Sequence, residues 1–203
     1  MTSPVTLMVR ARGLMQTLRE DIRAKASWNY QGEGSREMLR ALFSDGTLAV
    51  ILYRLMQASH HAGLAPAEML FNKMNAVFGQ CVIGRGAEFG PGLVFIHSQG
   101  VVINGAVHAG QNVHIEHQVT IGAEKGKSPC LGNNVFIGCG AKIVGPVIVG
   151  DGARIGANAV VVHDVPANTT VVGIPAKPVE PRRKPDHQEA APQATSAGKS
   201  TVM

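Results

Sequence analysis

The sequence predicts a parallel β-helix with a small α-helical domain in front of it, and three observations carry that prediction. From Leu131 to Val172 an aliphatic or small residue returns every six positions. Leu131, Ile137, Ile143, Val149, Ile155, Val161 and Ala167 form one series, and Val135, Ala141, Val147, Ala153, Ala159, Val165 and Val171 follow four places further on. A period of six fits neither an α-helix nor an alternating strand. It is the period of a triangular coil with one hexad on each side, about eighteen residues round. Gly follows the leading residue at Gly132, Gly138, Gly150 and Gly156, where the chain must turn a corner. The composition also suits a narrow prism filled by Val, Ile and Ala, with only 4% aromatic residues and 24 Gly among 203.

Taken in order, residues 1–79 read as helical. Leu14, Leu18 and Ile22 suggest a first helix, and Met38, Leu39, Leu42 and Phe43 a second. Asp45 is the expected N-cap of a third, along which Leu48, Ile51, Leu52, Leu55 and Met56 recur until Gly63. Pro66 opens a fourth, with Met69, Leu70, Met74, Val77 and Phe78 on one side and Gly79 at its end. These stripes read as helix packing. Such a domain also covers the open end of the first coil, which would otherwise present unpaired edge groups.

Residues 80–178 carry the repeat. Ile83, Phe89, Phe95 and Val101 keep step, and two extra residues separate them from the register of Ile103, Ala109, Ile115 and Ile121, with Val107, Val113 and Val119 at the fifth positions. From 121 to 131 is ten residues, one hexad plus four, so Lys125 to Cys130 is expected to leave the wall as a loop. Ile83 to Val172 is 90 residues, room for about five coils. Gly173-Ile174-Pro175-Ala176-Lys177-Pro178 closes the repeat with two prolines that cannot continue a ladder. Residues 179–203 carry mixed charge and no Leu, Ile or Phe, and are expected to form a disordered tail.

A net charge of +5 is modest, and much of it sits at the two ends (Arg10, Arg12, Arg19, Arg23; Arg182, Arg183, Lys184) rather than on one basic face. No aromatic-rich basic motif accompanies it, so nucleic acid is not an expected partner; a polyanionic small ligand accounts for the balance. Three cysteines, Cys81, Cys130 and Cys139, suggest free thiols in a reducing compartment. There is no secretion-signal pattern, and the longest apolar run, Leu48 to Leu52, is too short to span a bilayer. A cytoplasmic protein without a membrane span is expected. Gly122 to Ser128 is one residue short of a phosphate-binding loop and has no strand-to-helix context.

Several stretches resemble the serine acetyltransferase family of hexapeptide-repeat acyltransferases. They are His97-Ser98-Gln99-Gly100-Val101-Val102-Ile103-Asn104, Val119-Thr120-Ile121-Gly122, Gly138-Cys139-Gly140-Ala141-Lys142-Ile143-Val144-Gly145 and the closing Gly173-Ile174-Pro175-Ala176. The resemblance covers roughly residues 14–178. It implies a left-handed β-helix behind a helical domain, assembled as a homotrimer or a dimer of trimers, with acetyl-CoA as substrate in the groove between subunits. Separately, no metal is expected, because like positions on one edge of a coil do not converge tetrahedrally. It implies that His97 is the catalytic histidine. An alcohol is a poor nucleophile at neutral pH, and an imidazole can remove its proton as it attacks a thioester. For acetyl-CoA it points to Gly122-Ala123, Gly140-Ala141 and Gly156-Ala157-Asn158, with Lys142 and Lys177 as phosphate partners.

Register adds an independent expectation. His97 and His117 are each the third residue of a hexad, three hexads apart, and Cys139 is next in phase. The three should stack on one edge, about 4.8 Å per coil. They could form the polar wall of an active groove or a plain surface ladder.

The departures bear on the acceptor. Ile96 stands where the family usually has an acid before the catalytic histidine, Ser128 and Lys127 where it has His and Arg, and Val82 where it has the carboxylate that orients the histidine. No Asp lies near Asn29 to Gln31. A desolvated zwitterion needs opposite charges to meet it, so the acceptor is expected to be a neutral hydroxyl, as on a sugar or polysaccharide precursor. Related enzymes of exopolysaccharide pathways resemble the Phe95 to Asn104 pattern. The alternative acceptor is L-serine, for cysteine biosynthesis. His117 and Glu116 are the candidates for orienting His97. Two other classes stay open: a metal-dependent lyase using His97, His108, His114 and His117, and a non-catalytic scaffold. The C-terminal Thr201-Val202-Met203 lacks the isoleucine through which family members bind a pathway partner.

Overall fold

The computed structural model describes residues 13–179. Arg10 and Arg12, and the expected tail from residue 180 onward, lie outside the described residues. Within the described residues four helices come before the strands: α1 (Leu14–Tyr30), α2 (Ser35–Leu42), α3 (Thr47–His61) and α4 (Ala65–Val77). Among the described residues, no helix is long and apolar enough to cross a membrane.

The repeat then winds a three-walled parallel β-helix. Wall A stacks β1 (Val82–Ile83), β4 (Val102–Ile103), β7 (Thr120–Gly122), β10 (Lys142–Val144) and β13 (Val160–Val161). Wall B stacks β2 (Glu88–Phe89), β5 (His108–Ala109), β8 (Cys130–Leu131) and β11 (Ile148–Val149). Wall C stacks β3 (Val94–Phe95), β6 (His114–Ile115), β9 (Phe136–Ile137), β12 (Arg154–Ile155) and β14 (Thr170–Val172), and ends on the antiparallel β15 (Lys177–Pro178). The inward residues are those of the two series: Leu131, Ile137, Ile143, Val149, Ile155 and Val161 are buried, as are Val135, Ala141, Val147, Ala153, Ala159, Val165 and Val171. Alternate residues face out, so the short strands β1 to β14 each bury one side chain and leave their ladder to neighbours above and below, except β3, where Val94 is buried as well as Phe95.

Four expectations are corrected in detail. Ala167 is exposed; Val165 takes the inward place by bridging Val149, and β14 pairs Ile155 with Val171, sixteen residues on rather than eighteen. The last coil is therefore two residues short. The loop after β7 is residues 123–129, tied by a Glu124–Lys127 bridge, and Cys130 is already back in the wall. Asp45 is not a cap: Gly46 holds the N-cap position of α3, in a left-handed conformation with φ of 79°, and no side chain caps the helix.

The fourth correction concerns which helix faces turn inward. Leu14, Leu18 and Ile22 are only half-buried, whereas the buried face of α1 is polar, made of Thr17, Asp21 and Lys25 at helical spacing. On α4, Met69, Leu70, Val77 and Phe78 are exposed, while Glu68 and Asn75 are buried. The helical domain thus meets the β-helix in two ways: Ala49, Val50, Tyr53 and Met56 of α3 join the apolar core of the first coil, and α1 and α3 also send hydrogen bonds to strand-end backbone. The Asp21 carboxylate accepts from the Gly92 and Leu93 N–H groups at 2.8 and 2.9 Å and from the Nε and Nη2 groups along one edge of the Arg54 guanidinium. Arg54 in turn donates to the Phe89 and Gly90 carbonyls, each at 2.7 Å.

Candidate functional site

The two extra residues in the first coil lie where wall C turns into wall A. Phe95 pairs with Ile115 and Ile83 with Ile103, twenty residues apart, so the surplus falls between Phe95 and Ile103. That swollen corner carries His97. Along the edge below it, backbone bonds run from Gln118 N–H to Gln99 O, from Gly140 N–H to His117 O and from Asn158 N–H to Cys139 O. The corner residue stacked on His117 is therefore Gln99, and Cys139 follows His117 as the register requires. His97 still meets His117 through its side chain: the two imidazoles lie edge to face with centroids 6.0 Å apart. Both are about half exposed, at 47% and 42%.

Sequence reasoning missed what lies on the other side of His97. Asp45, in the turn between α2 and α3, places Oδ2 3.3 Å from His97 Nδ1. Glu116, one of the sequence candidates for that role, instead lies 3.7 Å from Nδ1 of its neighbour His117. Val82 lies on the outer face of wall A beside Val102 and brings no carboxylate.

The Asp45 turn is fastened to the strand that bears His97. Lys25, only 3% exposed, sends its amine to the carbonyls of Asp45, Phe95 and Ile96 at 2.8, 2.7 and 2.9 Å. An ammonium has three N–H donors, and all three are used. Burial pushes the Lys25 pKa down to about 8, against the attraction of Asp45 and Glu116. Gly46 packs so closely that a Cβ there would collide with the Phe95 carbonyl. The signal available beforehand was the Thr17, Asp21, Lys25 spacing, a polar stripe on a helix with no solvent role to explain it.

The residues expected to hold acetyl-CoA separate into two groups. Gly140 and Lys142, and Gly156, Ala157 and Asn158 at the next coil, share the edge of His97 and His117, with Asn158 in a left-handed corner beside Gly140. Ala141 is wholly buried with its side chain in the prism, so it offers only backbone to a groove. The Lys142 amine bridges back along the edge to the Gln118 carbonyl at 2.7 Å. Lys177, on β15, is exposed at the far end of wall C. Gly122 and Ala123 lie at the opposite border of wall A, where the chain leaves for the loop. One chain does not bring them to His97.

His108 and His114, the other two histidines weighed for a metal centre, do not converge with this edge. His108 is on wall B, its Nδ1 3.4 Å from Glu88, which also lies 3.6 Å from His61. His114 is on the outer face of wall C under Trp28, ring centroids 4.7 Å apart, and burial with the nearby Lys25 and Arg154 charges pushes its pKa down to about 4. Among the described residues no group of three or more His, Cys, Asp or Glu is arranged to hold a metal ion. A metal centre built from His97, His108, His114 and His117 is therefore not formed. The three cysteines are free, and burial pushes the Cys81 thiol up to about 12.

The outer face of wall C forms a groove of about 460 Å³ beneath the end of α1. Trp28 stacks on Phe136 at 5.6 Å, Arg154 lies over the same Phe136 ring at 4.5 Å, and the Asn112 amide donates to Asn134 at 3.1 Å beside them.

Residues 131–163 match the family model described as bacterial transferase hexapeptide (six repeats). The chain is 38% identical over 170 residues to the serine acetyltransferase of Helicobacter pylori J99, covering 82% of this chain and 94% of that one. It is 35% identical over 153 residues to the serine acetyltransferase of Bacillus subtilis, covering 71% and 70%. Among solved structures, Neisseria gonorrhoeae serine acetyltransferase superposes with a TM-score of 0.73 at 34% identity, over 82% of this chain and 67% of that one. A serine acetyltransferase in complex with CoA gives 0.75 at 29% identity, over 82% and 69%.

Proposed function

The chain belongs to the serine acetyltransferase family and is an acetyl-CoA-dependent O-acetyltransferase, and we propose that His97 is the general base of its reaction. The supporting observation is the open corner where the His97 imidazole stands between the Asp45 carboxylate and the His117 ring. His97 Nε2 takes the proton of the acceptor hydroxyl as that oxygen bonds to the thioester carbonyl carbon. The tetrahedral intermediate then breaks its C–S bond, and the proton passes from His97 to the departing sulfur, giving free CoA and the acetyl ester. A positioned base of this kind is worth about 10²- to 10⁴-fold. His117 would contact the acceptor or the developing charge from the next coil.

Acetyl-CoA would lie along the same edge, over the backbone of Gly140-Ala141 and Gly156-Ala157-Asn158, with Lys142 and Lys177 toward its phosphates. Gly122 and Ala123, at the other border of wall A, would then serve the site of an adjacent subunit in a homotrimer. Val82 and Val102 on wall A and Val77 and Phe78 on α4 are exposed and apolar, as such a contact requires. Exposed Met15, Leu39 and Phe43 on the helical domain would suit a dimer of trimers. A cytoplasmic location fits the three free thiols.

For the acceptor the site favours a neutral hydroxyl, as on a sugar or polysaccharide precursor. Ile96 precedes His97 and brings no charge to meet an ammonium. Apart from the His97 corner, the groove of Trp28, Phe136, Arg154 and paired asparagine amides on the outer face of wall C would offer ring faces and hydrogen bonds to a saccharide chain. L-Serine is the second reading, favoured by the names of the relatives and by Asp45, whose side chain is 70% exposed and could meet an ammonium. Release of free CoA, measured with L-serine and with a panel of nucleotide sugars and oligosaccharides, separates the two. Turnover with a saccharide alone is expected, lost in His97→Ala. Turnover with serine that collapses in the same variant would establish the second reading. Unchanged turnover in His97→Ala would remove His97 from the role.

A further inference from the structure

We propose that Asp45, carried by the helical domain and fastened by Lys25, is the positioning residue that sets the tautomer of His97; this rests on His97 being the general base. The carboxylate faces Nδ1 at 3.3 Å. A carboxylate there accepts the Nδ1 proton and holds the ring with its Nε2 lone pair outward, the form a base needs. A free neutral histidine favours the opposite tautomer, with its proton on Nε2, so a partner at Nδ1 matters.

The contact is built into the backbone, although Asp45 itself is exposed. Lys25 binds the main-chain carbonyls of Asp45, Phe95 and Ile96 at once, tying the turn that carries the acid to the strand end that carries the base. Gly46 allows the turn to lie directly on Phe95, where any side chain would collide. Below the turn, the Thr47 hydroxyl donates to the Ala41 carbonyl at 2.7 Å and the Ser44 hydroxyl to the same carbonyl at 2.8 Å, so the turn is braced from its own side too. Asp45 therefore has little freedom except at χ1 and χ2, and His97 is the charged or titratable side chain it meets. The other such groups packed near are Lys25 beneath the turn and His117 and Glu116 on the adjoining coil. With Val82 on the outer face of wall A, Asp45 is the carboxylate in reach of Nδ1 among the described residues.

The test reads the tautomer directly. In the full chain labelled with ¹⁵N-histidine, the His97 resonances, identified by their loss in His97→Ala, are recorded at a pH where the ring is neutral. Wild type is expected to show the Nδ1–H form and Asp45→Ala a shift toward Nε2–H. In steady-state assays with L-serine or the saccharide that wild type accepts, Asp45→Asn is expected to lower kcat about 10- to 100-fold with KM for the acceptor little changed. Lys25→Met should give part of that loss, and the double variant no more than Asp45→Asn alone. If Lys25→Met fails to fold, the Asp45 variants, which alter an exposed side chain, still decide the matter. An unchanged tautomer in Asp45→Ala overturns the proposal, as does an Asp45→Asn enzyme with full kcat and a raised KM for serine, which would make Asp45 an ammonium contact. Since the tautomer is read without turnover, failure of His97 as base and failure of Asp45 as its positioner give different results.

Discussion

The face of α1 that meets the β-helix does so twice, one helical turn apart, and the two junctions differ. At Asp21 a buried carboxylate meets a buried guanidinium, and Oδ1 of the acid and Nη1 and Nη2 of the arginine also reach backbone or the Gln57 amide. At Lys25 a buried cation meets only carbonyl dipoles, with the carboxylates of Asp45 and Glu116 nearby. The first is charge-balanced and remote from the histidine edge. The second is a lone charge at depressed pKa, directly under His97. The difference teaches that a helix can be locked on by a paired charge while the unpaired one holds a turn beside the corner that carries His97.

The sharpest way to break the comparison is to remove one partner of the balanced pair. Asp21→Ala leaves Arg54 buried without its carboxylate and strips the Gly92 and Leu93 N–H groups of their acceptor. A loss of about 3–5 kcal/mol is expected, read as a fall in denaturation midpoint. Asp21 and Arg54 replaced together by apolar residues of similar volume should cost much less. Equal losses in the single and double variants would show that the pair is not what holds this junction.

The Lys25 junction is expected to respond to pH where the Asp21 junction does not. Lys25 titrates near 8 when folded and near 10.5 when unfolded, so between those values the unfolded chain binds the proton that the folded chain has released. Stability from this group therefore rises with pH across the window, by up to about 3 kcal/mol. Denaturation of wild type and Lys25→Met at pH 7.5 and 10 should show wild type gaining on the variant. A constant gap would mean that the three carbonyls hold the ammonium charged throughout.

These junctions also mark where the sequence stopped being legible. The β-helix was readable almost residue by residue, because each hexad must bury the same small volume, and the slip at Val165 and the corner of His97 are local departures from a strong period. Asp45 was misread because an Asp before an apolar helical stripe looks like a cap, and only the tertiary approach of Phe95 to Gly46 makes the glycine the cap and turns the acid toward His97. Lys25 was not singled out because a charged residue on a helix is usually solvated, and nothing local says that one carbonyl waits twenty residues away and two more about seventy. The groups expected to bind acetyl-CoA split across two borders of wall A for a related reason: periodicity gives the phase of each residue on a coil but not which border of a wall lies beside His97.

The smallest effect lies one turn further along α1, where Trp28 covers His114. His114 is held neutral by burial and by the Lys25 and Arg154 charges, with its pKa near 4 instead of 6.5. The unfolded chain takes up that proton first as pH falls, so stability present above about 6.5 is lost progressively toward 4. The loss should be less than the Lys25 effect, because the ring remains partly in solvent. It can be followed without unfolding the protein. Trp28 is the single tryptophan of the chain and lies edge-on to the His114 ring at 4.7 Å, and a protonated imidazole quenches indole emission. The fluorescence titration of the folded protein is expected to have its midpoint near 4, and His114→Gln should flatten it. A midpoint near 6.5 would mean that His114 protonates freely under Trp28, that the end of α1 lifts from wall C at mildly acid pH, and that the groove beside it is not a fixed surface.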